Sequence, residues 1–165
     1  MKNWIYLALI AFSIQAVSAQ KYYLQCGNVF DPTSEKWQKE KTVVVEGKRI
    51  TKVLNGFVDA TGDDQSIDLK ESWVMPGFID MHVHIESESN PRAYLNRFTL
   101  NEADVAFRAA VYANKTLLAG FTTVRDLGGS GVNIALKNAV EAGLVDGPRI
   151  FTTGKTIGST GSHAD

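Results

Sequence analysis

The chain has 165 residues with 17 Lys and Arg against 18 Asp and Glu, 44% of them hydrophobic and 21% charged, and one cysteine, Cys26. This is ordinary globular composition: it excludes wholesale disorder, collagen-like repetition and a disulfide-stapled mini-domain. A formal charge of -1 leaves no electrostatic footprint for a nucleic-acid backbone or an anionic membrane surface, so neither is expected as a partner.

Residues 1–19 read as a leader rather than as part of a fold. Lys2 supplies a basic start, Ile5 to Phe12 an apolar run, and Val17-Ser18-Ala19 a small-residue pattern suited to cleavage between Ala19 and Gln20. The apolar stretch is shorter than the roughly 20 residues of a spanning helix, so a secretory signal peptide is expected, not a stable anchor. The protein is accordingly expected to be exported, to periplasm or medium.

Residues 20–75 carry short β-rich runs broken by turn residues. Tyr22 to Gln25 and Asn28 to Phe30 are two such runs, and Asp31-Pro32-Thr33 is a turn in which Asp31 can accept from the backbone ahead. The charged stretch Glu35 to Lys41 reads as a solvated loop. Thr42 to Glu46 and Arg49 to Leu54 flank Gly47-Lys48 as a hairpin. Gly62-Asp63-Asp64 is a further turn and Ile67 to Leu69 a further strand. Such a set is expected to form a small β-domain, too thin to bury much core alone and in need of a partner layer.

At Met75-Pro76-Gly77 the pattern changes. Phe78 to Ile85 is a strand candidate, Glu86 to Asn90 is polar, and Asn101 to Ala119 has helical spacing that ends at Gly120. Phe121 to Arg125, Val132 to Ala142 and Arg149 to Thr153 read as strand, helix and strand, and Gly154 to Asp165 as loop. Alternating strands and helices predict parallel βα units over residues 76–165. Three strands with two helices leave bare sheet edges. A closed eight-unit barrel needs about 250 residues, so a longer protein is expected, and a homo-oligomer stays open.

His82-Val83-His84 carries the chemistry. Residues two apart on a strand share a face, which puts Asp80, His82 and His84 on one side and Ile79, Met81, Val83 and Ile85 on the other. Two imidazoles about 6 to 7 Å apart along the strand can converge on one cation, and Zn²⁺ accepts such ligands. The alternative is a pair of partly exposed histidines bonded to water or backbone. Asp80 lies below the pair, where packing or hydrogen bonding suits it better than catalysis. His163, in a Gly and Ser-rich loop, is equally a substrate contact or a solvent-facing side chain. Arg125 and Asp126 end the second strand and either pair with each other, the favoured reading, or face the site. Gly128 to Gly131 is a weak anion-cradle signal and more simply a tight turn. Ser159, Thr160 and Ser162 have only His163 as a base partner, which makes a serine hydrolase remote.

The run Val74-Met75-Pro76-Gly77-Phe78-Ile79-Asp80-Met81-His82-Val83-His84 resembles the signature of the amidohydrolase superfamily. Ala119-Gly120-Phe121-Thr122-Thr123-Val124-Arg125-Asp126-Leu127-Gly128-Gly129 resembles the second unit of its imidazolonepropionase-like and Xaa-Pro dipeptidase-like branch. Gly147-Pro148-Arg149-Ile150-Phe151 and Gly161 to Asp165 look like that branch's third strand and loop. The resemblance implies an α/β chain, the N-terminal portion of a (β/α)8 TIM-like barrel preceded by part of a β-sandwich. It implies two Zn²⁺ per complete site, with His82 and His84 on one ion. A bridging carboxylated Lys, two further His and a general acid/base Asp would lie downstream of Asp165, and Lys155 does not suit the bridge. The implied activity is hydrolysis of a C–N amide bond by a metal-activated water, most simply a dipeptidase on short peptides. A cyclic-amide hydrolase and a non-catalytic exported metal-binding or partner-binding protein are the alternatives. Residues 1–165 alone are expected to be inactive.

Overall fold

Two periodicities, the alternation of strands before Pro76 and the βα rhythm after it, become two compact units that divide between Pro76 and Gly77. The computed structural model describes residues 19–162. The leader, apart from Ala19, and His163 lie outside the described residues. Among the described residues no helix is long and apolar enough to cross a membrane.

The first unit is a four-stranded sheet in the order β3-β2-β1-β4, with β1 (Lys21–Asp31), β2 (Lys36–Glu46), β3 (Arg49–Asn55) and β4 (Gln65–Val74). β1 pairs antiparallel with β2 and parallel with β4, and β2 pairs antiparallel with β3. The expected Gly47 turn is present, with Gly47 at φ 58°. Two expectations are corrected. The runs before and after Gly27 form one strand, and the charged stretch Glu35 to Lys41 is not a loop, since β2 starts at Lys36. Lys36, Lys39 and Lys41 pair across the ladder with Asp31, Asn28 and Cys26, so main-chain pairing overrides the polar pattern, which here marks a strand with a wet surface. The β1–β4 register shifts between Cys26 and Asn28. A Cβ on Gly27 would overlap the Lys70 carbonyl, so this bulge requires glycine.

One side of this sheet is closed by the segment after β3. Thr42, fully buried, donates its hydroxyl to Gly56 O at 2.8 Å and accepts from Val58 N at 2.9 Å, while Gln25 Nε2 donates to Asp59 Oδ1 at 2.7 Å. Cys26 is buried beside them, and desolvation pushes its thiol up against a smaller opposing effect of the Val43 backbone. It stays a neutral thiol, a small core hydrophobe.

The second unit is a parallel sheet β5-β6-β7 built from β5 (Phe78–Val83), β6 (Phe121–Asp126) and β7 (Arg149–Thr152). Three helices complete it: α1 (Ala93–Thr99), α2 (Glu102–Leu118) and α3 (Val132–Glu141). α2 starts where the sequence predicts, because Asn101 and Asp104 form a reciprocal capping box. The short α1 buries none of its residues, so it carries no periodic apolar signal, and the sequence reading has no helix there.

Ile85, Ala109, Ala113, Val124, Leu136 and Ile150 form the core between the sheet and α2 and α3. Val83 packs against it, but Ile79 and Met81 are exposed, so of the apolar row that alternation puts on one side of this strand only the end reaches the core. The cause is register: β5 slips against β6 between Phe78 and Ile79 and again between Asp80 and Val83. β5 also stops at Val83 rather than Ile85.

Candidate functional site

Parallel strands present their C-terminal ends to the loops that follow, and such loops are where barrels of this type place chemistry. His82 is on β5 and His84 is the first residue past it, with ring centroids 5.4 Å apart and an interplanar angle of 67°. His84 Nδ1 lies 3.2 Å from Gly128 O. A carbonyl only accepts, so the neutral ring carries its proton on Nδ1 and keeps the Nε2 lone pair free. Two exposed imidazoles side by side, one with its tautomer set by a backbone carbonyl, suit a borderline cation such as Zn²⁺. Among the described residues no group of three or more His, Cys, Asp or Glu side chains converges to hold an ion. The pair therefore fits as part of a metal site and falls short of the three or four protein ligands of a complete one.

The loops around the pair are held by carboxylates. Glu86 Oε2 accepts from Ser130 N at 2.7 Å and Oε1 from Asn133 N at 2.6 Å, at the N-terminus of α3. The Gly128 to Gly131 turn is thus an anion cradle occupied by the protein's own carboxylate, and a Cβ on Gly129 would stand 2.5 Å from Glu86 Oε2 and displace it. Asp126, fully buried, accepts from Ile85 N at 2.9 Å, Gly128 N at 2.8 Å and Asn133 Nδ2 at 3.1 Å.

Arg125 and Asp126 do not form the expected ion pair. Arg125 Nε donates instead to Met81 O at 2.8 Å, a carbonyl inside the irregular stretch of the β5–β6 ladder. The strand alternation that sends Asp126 into the core sends Arg125 the other way. Asp80 Oδ1 accepts from His82 N at 3.0 Å, a local backbone contact. Lys155 sits in a bridge with Gly129 after β7. A cleft of about 640 Å³ opens beside His84, lined also by Glu86, Glu88, Arg108, Tyr112 and Asp126. The sequence reading missed Glu86 and Asn133. The available signal was a Gly-rich helix start, which calls for an anion, and an acid two residues after His84 to supply it.

A parallel sheet backed by helices, with two histidines at the C-terminal end of its first strand, is a βα scaffold that carries its chemistry-bearing side chains at the loop end. Residues 73–164 match the amidohydrolase family, and the chain belongs to that family, whose members are generally metal-dependent. Ochratoxinase of Aspergillus niger is 30% identical over 96 residues, 56% of this chain and 19% of that protein. Among solved structures, a Xaa-Pro dipeptidase with methionine bound in its active site is 37% identical with a TM-score of 0.81, over 88% of this chain and 36% of that one. A prolidase in complex with N-methylphosphonate-L-proline is 41% identical with a TM-score of 0.75, over 87% of this chain and 34% of that one. The chain therefore spans about a third of the length of these solved relatives, and its mixed α/β architecture follows theirs.

Proposed function

We propose that this chain belongs to an exported, zinc-dependent amidohydrolase that cleaves the C–N bond of short peptides, with His82 and His84 as ligands to one cation. In this reading residues 1–19 are the cleaved leader, 20–75 part of a β-sandwich and 76–165 the first βα units of a barrel. The observation that carries it is the pair of neighbouring imidazoles at the end of β5, 5.4 Å between centroids, with His84 oriented by Gly128 O. Its substrate class is supported by likeness to a Xaa-Pro dipeptidase and a prolidase at 37% and 41% identity.

His82 and His84 would hold a divalent cation, which when bound would supply Lewis acidity to a water and to the scissile carbonyl. The residues of this chain do the positioning. His84 offers Nε2 because its Nδ1–H is engaged, His82 stands beside it, and Glu86 ties the α3 N-terminus and the β6–α3 loop to the segment that follows His84. Because two ligands do not make a complete site, the remaining ligands and the proton-transferring carboxylate belong to other residues of the full enzyme.

The test uses the protein as its own cell makes it. Metal content and turnover of Xaa-Pro and other dipeptides are measured before and after chelation, with a cyclic amide as comparison substrate. Loss of dipeptide turnover on chelation and its return with Zn²⁺ are expected. His82→Ala and His84→Ala should each lower metal affinity and turnover together, by more than the roughly 100-fold that loss of a supporting outer partner costs. Unchanged metal content in both variants would remove the pair from the ligand set. A mature protein beginning at Gln20 would support export, and one retaining Met1 would count against it.

A further inference from the structure

A carboxylate out of water is costly unless its lone pairs are filled. Asp126 is fully buried, and among the described residues it forms no ion pair with Lys, Arg or His. Its acceptors are filled by neutral N–H donors: Ile85 N on Oδ2, and Gly128 N with Asn133 Nδ2 on Oδ1. Asn133, itself fully buried, is held in turn by donating to Gly154 O at 2.9 Å.

Two of these contacts bracket one residue. Ile85 N belongs to the peptide that follows His84, and Gly128 carries the carbonyl 3.2 Å from His84 Nδ1. We propose that Asp126 is the positioning residue of His84: it anchors the main chain on one side of the histidine and, through Gly128, the ring on the other. His84 Nε2 is thereby presented to a divalent cation in one tautomer and one orientation. His82 differs, its main-chain N–H being held by Asp80 Oδ1. The inference rests on the reading of His84 as a ligand. It adds a buried residue from the neighbouring strand that acts through His84, and it assigns Asn133 the task of holding that carboxylate in place.

Asp126→Asn keeps the shape but replaces one acceptor oxygen by an NH₂ that must face an N–H donor. In the metal-free intact protein, ¹⁵N spectra of the ring nitrogens should show His84 as a single Nδ1–H tautomer. In Asp126→Asn they should show a mixture of tautomers at His84 with His82 unchanged. A general loss of structure would move both rings, so His82 is the internal control. Titration with Zn²⁺ should give a 10- to 100-fold weaker affinity, the usual effect of losing an outer partner. Where Asp126→Asn does not fold, Asn133→Ala removes one donor from Oδ1 and should shift both readouts in the same direction by less. An Nε2–H tautomer at His84 in the unmodified protein would overturn the proposal, as would wild-type tautomer and Zn²⁺ affinity in the folded variant. His84→Ala separates the two ideas. If it leaves Zn²⁺ affinity at the wild-type value, the ligand reading fails and takes this one with it; if it weakens Zn²⁺ while Asp126→Asn does not, only the positioning role falls.

Discussion

The two units solve the same problem, tying down loop amides, over different distances along the chain. In the first unit Asp31 closes the β1–β2 turn by accepting from Thr33 N, Ser34 Oγ and Gln38 Nε2, partners two, three and seven positions away. In the second unit Glu86 reaches donors 44 and 47 positions on, and Asp126 accepts from Ile85, 41 positions back. A local carboxylate shapes a turn that the chain already favours. A distant one has to bring two βα units together before it gains anything, so it couples loop geometry to the assembly of the sheet. The residues around the histidine pair are built in the second way, and the geometry of any site there is thereby tied to the packing of β5 against β6.

The comparison predicts a ranking. Glu86→Ala should have the largest effect, because it leaves Ser130 N and Asn133 N without their charged acceptor and removes the anion from the α3 N-terminus. Bonds to charged groups contribute about 1.5–3 kcal/mol each, and Glu86 is only half-buried, so a loss of about 3 kcal/mol for the pair is expected in urea unfolding. A change under about 0.5 kcal/mol, ordinary for a surface site, would mean that water replaces this carboxylate freely. Thr42→Val in the first unit should come next, at about 2 kcal/mol. The shape is kept, but Gly56 O and Val58 N lose the hydroxyl that bridges them, and the destabilisation should appear as faster hydrogen exchange in the segment after β3. If the exchange rates there do not change, that segment is held by its apolar contacts instead.

The same contrast in distance explains what could be read from the sequence. The Gly47 hairpin, the Asn101 cap and the starts of β6 and α3 depend on residues within a few positions of each other, and they fall where the pattern puts them. The shared side of His82 and His84 follows from strand alternation, and their rings do meet. What was illegible depends on pairing. β2 begins inside a charged stretch because Asp31 to Gln25 lies opposite it, a fact absent from the local pattern. Ile79 and Met81 escape the core through register slips that periodicity cannot encode. Asp126 looks like a partner for adjacent Arg125, yet beside the local donors Gly128 and Asn133 it takes Ile85 N, 41 positions back, which only the folded sheet brings near.

The smallest effect should belong to Asp31, and it is best read through pH. The Ser34 hydroxyl and the Thr33 amide, with lesser help from Gln38, hold its carboxyl below the usual aspartate value, which is about 3.9. A native carboxyl that gives up its proton more readily than the unfolded one stabilises the fold at every pH above the unfolded value. That contribution drains away as pH falls through the lower native value. Asp31 is only half-buried and its bonds to Thr33 and Ser34 are open to water, so screening keeps the contribution small. In Asp31→Asn the side chain cannot ionise, and its stability should be flatter with pH in that acid range. Below the native titration the difference from wild type should shrink, since both side chains are then neutral. Parallel stability curves for the two proteins from neutral pH down through that range would show that Asp31 gains nothing from its turn. The local carboxylate would then be dispensable, which would widen the contrast with Glu86.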